Sequence, residues 1–227
     1  MKSEGRNPKA ERNPKGEIRK GLVCFAVKEE ARAFQKLVEM GDSLRVILVG
    51  MGKRNAERAI RAALAEERPT LVLTCGFAGG LSPGLAMGSV VFAADSETGL
   101  EPALLAAGAK PARFHCAERV AVTVEEKRAL REATGADAVE MESQIICSVC
   151  REQKIPSATV RVILDTADED LPLDFNQLMT PDLKMSYVKL AMVLAKSLGK
   201  VGALLKLRKQ SEAAATKLGQ VLADLLP

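Results

Sequence analysis

The run GADAVEMESQIICSVC, Gly135 to Cys150, places two carboxylates, Glu140 and Glu142, inside an apolar stretch suited to burial. An unpaired carboxylate is costly to bury, so both call for donors from the fold or from a ligand. Further reactive groups follow β-branched runs. Lys28, Glu29 and Glu30 come after GLVCFAV, GMGKRNA after LRVIL, CGFAGG after TLVL, and Asp165 after SATVRVIL. Carboxylates accept hydroxyl donors or exchange protons, and glycines let a ligand approach bare backbone. The site these residues would build is one of acids and amides.

Each piece also has a structural use. CGFAGG suits a tight turn, and Asp165 suits a cap on the segment after it. GMGKRNA has the spacing of neither a dinucleotide fingerprint nor a P-loop. Cys147 and Cys150 form a CxxC inside a helical pattern without a second pair, which reads as core thiols; no metal site is expected. His115 is the only histidine, which argues against a Ser-His-Asp hydrolase, and it reads as a surface or edge residue.

The elements that position these groups are short. Residues 21–27, 44–50, 70–76, 88–94, 119–124 and 157–164 read as strands, several of them continuously apolar as in sheets covered on both faces. Helical patterns lie between them at KEEARAFQKLVEM, RNAERAIRAALAEE, VEEKRALREAT and ESQIICSVCREQ. The alternation predicts an α/β three-layer sandwich, a mixed and mostly parallel central sheet flanked by helices. Ligands in such folds bind beyond the carboxyl ends of the strands, where the acids and glycines stand. Residues 184–206 and 210–226 read as one or two C-terminal helices bearing Lys196, Lys200, Lys206, Arg208 and Lys209. Solvated faces explain that charge; peripheral membrane contact is the alternative.

The chain has 227 residues, 47% hydrophobic and 27% charged, enough for one core. One domain is expected over 20–227, behind a disordered basic tail at 1–19 that repeats RNPK. The net charge of +4 resides in residues 1–20, with seven Lys/Arg against three Glu, and the rest balances. A nucleic-acid groove is therefore not implied, and one Tyr with no Trp offers few stacking platforms. The uncharged run from Leu71 to Ala94 holds five glycines and Pro83, so it reads as strand, turn and strand rather than a membrane span. The absence of an apolar leader and an odd count of five cysteines point to a reducing cytoplasm and free thiols.

FAVKEEA, VGMGKRNA, TCGFAGGLSPGLAMGSVV, ADAVEMES and VRVILDTADED occur in that order over about residues 20–170. Together they resemble the nucleoside phosphorylase and nucleosidase superfamily, in particular the 5′-methylthioadenosine/S-adenosylhomocysteine nucleosidases and the hopanoid-associated phosphorylases. The resemblance implies a phosphorylase/hydrolase-like fold that cleaves the N-glycosidic bond of a purine nucleoside or adenosyl compound without a cofactor. It implies that Glu142 accepts the ribose 2′ and 3′ hydroxyls, with Met141 packed on the sugar and Glu140 in support. Asp165 matches the general acid that protonates the purine's imidazole-ring nitrogen. The amides of Phe77, Ala78 and Gly79 are expected along the base and anomeric carbon.

Glu30 matches the acid that orients a nucleophilic water. If phosphate attacks instead, Thr74, Gly76 and Arg54 would hold it as co-substrate, with Lys53 close by. Glu30 would repel that anion, so hydrolysis is favoured over phosphorolysis, the latter including a hopanoid-associated type acting on a lipid-linked adenosyl substrate. The stretch from Ala94 to Glu118 is short for the family, leaving Phe114 as its candidate to stack on the base, and Phe175 is the one aromatic of the later lid region. Leu164 stands where a small Ser is usual before the acid, which keeps a non-catalytic nucleoside-binding protein as an alternative. A homo-oligomer, a dimer or larger, is the expected assembly.

Overall fold

The computed structural model describes residues 20–38, 43–184, 186 and 200–226. The basic tail and its expected disorder lie outside the described residues, as does Lys196.

Among the described residues eight strands form one sheet. β1 (Gly21–Phe25), β2 (Leu44–Leu48), β3 (Leu71–Gly80), β8 (Ser157–Asp165), β4 (Val90–Ala94) and β5 (Lys110–Pro111) lie in the order β2-β1-β3-β8-β4-β5. β3 runs parallel to both β1 and β8, whereas β4 is antiparallel to β8. β6 (Phe114–Cys116) and β7 (Ala138–Glu140) branch from the end of β3, where Gly79 and Gly80 pair antiparallel with Val139 and Ala138. The sheet is thus mixed, and its outer part is built from strands too short to show a period in the sequence.

Helices cover both faces. Val23, Phe25, Leu71, Leu73 and Cys75 pack with Phe34 of α1 (Lys28–Leu37), Leu104 of α3 (Glu101–Ala106) and Leu218 of α7 (Lys200–Leu225). The alternate residues Leu22, Cys24 and Val72 pack with Ile60 of α2 (Lys53–Glu66) and with Ile146 and Cys150 of α5 (Ser143–Glu152). This period-two division of β1 is how a strand with no exposed residue serves two cores. Cys24 and Cys150 belong to the second core, and burial pushes the Cys150 thiol up to about 12, so it stays protonated and inert.

Residues 119–124 are not a strand. Their backbone is taken up by side chains: Val120 exchanges both its groups with Asn176, and Val122 N–H donates to Glu126 at 2.6 Å. Thr123 then caps α4 (Val124–Thr134) by accepting from the Glu126 amide, the reciprocal arrangement of a capping box. The β-branched composition here serves an extended entry to a helix rather than a ladder. α6 is the single turn Phe175–Leu178.

The C-terminal region is one continuous helix across 207–209, where two were an option. Its second half packs on α1 through Gly219, whose added Cβ would lie 2.9 Å from Phe34 N. Gly202, on the same helix, faces open space. Alanine should therefore act oppositely at the two positions. Gly219→Ala should force α1 and α7 apart and cost about 1–3 kcal/mol, while Gly202→Ala should leave stability unchanged or raise it by up to about 1 kcal/mol. Denaturant titration of both variants checks this, and equal effects would contradict the packing.

Candidate active site

Arg161 stands in the middle of β8 and is almost wholly buried. Its guanidinium donates to Cys75 O at 3.0 Å, to Thr74 Oγ1 at 3.1 Å and to Glu140 Oε2 at 2.6 Å, and it lies 3.6 Å from Glu142 Oε2. Burial opposes its charge, and Glu140, Glu142 and Glu30 outweigh that, so its pKa is raised. It is a permanent cation beneath three acids.

The acids differ in how far the fold has satisfied them. A carboxylate offers about four acceptor positions. Glu140 accepts four hydrogen bonds, three at Oε2 from the amides of Glu142 (3.0 Å) and Ser143 (2.7 Å) and from Arg161, and one at Oε1 from Ser143 Oγ (2.8 Å). Glu30, at the third position of α1, reaches back to the amides of Ala26 (3.0 Å) and Val27 (3.2 Å) with Oε2 and accepts from Phe77 N–H (2.8 Å) with Oε1. One position on Oε1 is left. Among the described residues Glu142 accepts a single hydrogen bond, from Gly52 N–H to Oε1 at 2.8 Å, and Arg161 is too far from Oε2 for another. Burial, with Glu140 and Glu30 adding to it against Arg161 and the Gly52 amide, pushes the Glu142 carboxyl up to about 7. Glu30 is also raised, by burial, against the pull of Arg161.

Glycine makes this crowding sterically feasible. Gly76 has φ +149°, and a Cβ there would lie 2.5 Å from Glu30 Oε1 and 2.6 Å from Arg161 Nη1. Gly52, at φ +82°, turns the loop after β2 so that its amide meets Glu142, and Leu183 packs where its side chain would be.

Asp165 ends β8. A bulge makes it, rather than Leu164, stand opposite Gly79, and a Cβ on Gly79 would lie 3.3 Å from Asp165 Oδ2. Leu164 is the extra residue and packs against the core shared by α1 and α7. Burial raises the Asp165 pKa, opposed by Lys127. Beside it opens a cavity of about 160 Å³ lined by Leu164, Glu169 and Leu171 and by Ala203, Lys206 and Leu207 of α7. A cavity near 150 Å³ holds an aromatic ring.

Glu30, Glu140 and Glu142 therefore meet at Arg161, and Met141 is buried between the last two. Thr74 Oγ1 accepts from Arg161, and Gly76 leaves room for Glu30 and Arg161. Arg54 is exposed on α2 and takes no part in the cluster. The amide of Phe77, expected along a base, donates to Glu30 instead, because a buried acid needs that donor. Ala78 packs with Phe114, Leu85 and Ile163. Sequence reasoning missed Arg161 as a site residue; an arginine amid SATVRVIL was the signal. It also missed Lys127, for which a lysine in a charge-rich helix gives no signal.

A family model described as the phosphorylase superfamily matches residues 24–115 and 109–190, more than half of the chain. The chain belongs to the phosphorylase superfamily. Within it, the chain is 26% identical over 174 residues to the 5′-methylthioadenosine/S-adenosylhomocysteine nucleosidase of Anoxybacillus flavithermus, covering 61% of this chain and 75% of that one. The enzyme of that name from Glaesserella parasuis is 27% identical over 165 residues, covering 57% and 71%. The fold matches futalosine hydrolase of Helicobacter pylori with a TM-score of 0.69 at 16% identity, over 92% of this chain and 97% of that one. It also matches the 5′-methylthioadenosine/S-adenosylhomocysteine nucleosidase of Neisseria meningitidis in complex with methylthio-immucillin-A, with a TM-score of 0.68 at 19% identity, over 92% and 98%. The expected superfamily and its three-layer α/β fold are thereby established.

Two outcomes are expected for this phosphorylase-superfamily site. Glu140→Gln, which loosens a buried ion pair, should cost about 2–4 kcal/mol, whereas Glu142→Gln should change stability by less than about 1 kcal/mol; denaturant melts of the two variants decide it. The pH dependence has a definite sign. Glu142, Glu30 and Asp165 all have raised pKa values, so from the ordinary carboxylate range to about pH 7 the folded protein holds protons that the unfolded chain has lost. Stability contributed by the neutral forms is present at low pH and declines as pH rises to about 7. Melting temperatures of the ligand-free protein that climb across that window would contradict the burial of these acids.

Proposed function

We propose that this protein cleaves the N-glycosidic bond of a purine nucleoside or an adenosyl compound by hydrolysis, releasing the base. The observation that carries this reading is Glu142: a buried carboxylate that accepts one hydrogen bond from the described residues, next to a neighbour that accepts four. A sugar diol supplies two donors to such a group, and charged acceptors bind them strongly. Met141 packs against the sugar. Asp165, beside a cavity of ring size, donates a proton to the base as the bond breaks, and burial raises its pKa in the direction a proton donor needs. Glu30 retains one acceptor position on Oε1, enough to take a proton of a water and direct its lone pair at the anomeric carbon.

The charge around Arg161 favours water over phosphate. One guanidinium already faces three carboxyl groups, so a phosphate dianion would find no unpaired cation in the cluster, and Arg54 is exposed away from it. Proton donor, sugar acceptor and water-orienting base are all side chains, so the reaction needs no cofactor. Five free thiols, four of them buried, suit a reducing cytoplasm.

Adenine release from a panel of adenosyl compounds should proceed in phosphate-free buffer, and Glu30→Gln should slow it by about 10²-fold. Strict dependence on phosphate, with ribose 1-phosphate as product, would overturn hydrolysis. Glu142→Gln should weaken binding of a ribonucleoside by about 10-fold and that of its 2′-deoxy analogue by less, since each hydroxyl contact is worth roughly 1–2 kcal/mol. Equal losses for the two sugars would remove Glu142 from the ribose.

A further inference from the structure

Lys127 is the only buried residue of α4 and has no solvent exposure at all. A lysine is seldom buried without paired acceptors, and this one has three. Its ammonium donates to Thr166 O at 2.7 Å and Glu169 O at 2.5 Å, both in the loop after β8, and lies 2.6 Å from Asp165 Oδ2 in an ion pair. That last approach lacks hydrogen-bond alignment, so it acts through charge and contact. Oδ2 is sealed from solvent and faces the ammonium, and Asp165 lines the adjoining cavity.

The same loop is fastened to the start of α4 by two further bonds. Asp170 accepts from Val124 N–H at 2.7 Å, and Leu171 N–H donates to Val122 O at 2.8 Å. α4 thus clamps the segment that follows Asp165, and the charge inside the clamp is Lys127.

We propose that Lys127 is the positioning residue of the leaving-group acid: it fixes Asp165 through Oδ2, aims Oδ1 at the base, and sets its acidity. The proposal rests on the hydrolytic reading above. As the C–N bond breaks, its electron pair passes to the base, whose ring nitrogen takes the proton from Asp165 Oδ1. The carboxylate so formed is stabilised at Oδ2 by the Lys127 ammonium, which keeps its own protons. The charge that grows on Asp165 is met by a fixed cation with no reorganisation, the condition under which electrostatic stabilisation is strongest. Glu169, in the same loop, opposes this by raising the Asp165 pKa, and Lys206 of α7 lies 4.0 Å from Glu169 on the far side of the cavity.

Lys127→Gln keeps a donor for the loop carbonyls but removes the charge. Its kcat for purine release should fall by about 10²-fold with KM changed less than about threefold, and the alkaline limb of its pH profile should move upward, because Asp165 without the cation is a weaker acid. Hydrolysis of 4-nitrophenyl β-D-ribofuranoside, whose leaving group needs no proton, should be nearly unchanged. Lys127→Arg should retain the preference for purine over nitrophenyl leaving groups. Equal loss on both substrates, or an unmoved alkaline limb, would reduce Lys127 to a structural clamp. If Lys127→Gln does not fold, the ¹⁵Nζ resonance of Lys127 in Asp165→Asn decides the pairing, and no change from wild type would overturn it. A wild-type protein that hydrolyses the nitrophenyl riboside but no purine nucleoside would instead overturn the assigned substrate.

Discussion

The interaction on which the rest depends is the buried guanidinium of Arg161 among three carboxyl groups. Each acid alone would be too costly to seal under a sheet, and an ion pair in such a place contributes little net stability. What the cation secures is a place where acids of unequal character can coexist. Glu140 takes the direct contact and accepts three further hydrogen bonds. Glu142, a full ångström further from the same Nη2, is left with its charge partly unbalanced and its proton affinity high. One arginine thus divides the acids into a structural one and an available one by distance alone.

That arrangement dictates the backbone around it. β3 sits at the centre of the sheet, paired on both sides, and its residues Thr74, Cys75 and Gly76 supply Arg161 with a hydroxyl, a carbonyl and an absence of side chain. Any Cβ at Gly76 would strike Glu30 and Arg161 together, so the glycine is a condition of the charge cluster rather than of a turn. The loop after β2 meets the same demand differently: Gly52 gives up side-chain and conformational constraint so that one amide reaches Glu142 across a sequence gap of 90 residues. Asn55 ties this loop to the segment after α6, donating to Met51 O at 2.9 Å and Asp182 O at 3.0 Å, and Leu183 fills the space above Gly52.

Much of this was legible in the chain because it depends on local pattern. Continuous apolar runs marked β1, β3 and β8, and helical periods marked α1, α2, α4 and α5. The acids stood out as charges where charge is expensive. What escaped was decided by tertiary context. Strands β5 to β7 are two or three residues long and exist only because β3 and β4 offer edges to pair with. Residues 119–124 have strand composition, yet Asn176 and Glu126 claim their backbone from outside any sheet. Lys127 looks like its exposed neighbours in VEEKRALREAT, and only the return of the loop after β8 gives it a reason to be inside. The division of labour between Glu140 and Glu142 is only half legible in VEMES: Glu142 and Ser143 supply three of Glu140's donors locally, whereas Arg161 of β8 and the Gly52 amide come from far along the chain.

Leu183 shows how far the demands of the acids extend. It is a bulky residue at φ +55°, a conformation that costs a side chain about 1–2 kcal/mol. Its Cδ1 would lie 2.3 Å from a Cβ on Gly52, so the left-handed turn drives it into the one place a side chain at 52 cannot occupy. The Thr180–Lys184 turn holds that conformation with Leu183 N–H donating to Thr180 O at 2.9 Å and Thr180 N–H to Lys184 O at 2.9 Å. Leu183 therefore packs over Gly52, the residue whose amide donates to Glu142, so the turn after α6 and the loop after β2 are fitted to each other at the point where the backbone meets a buried acid.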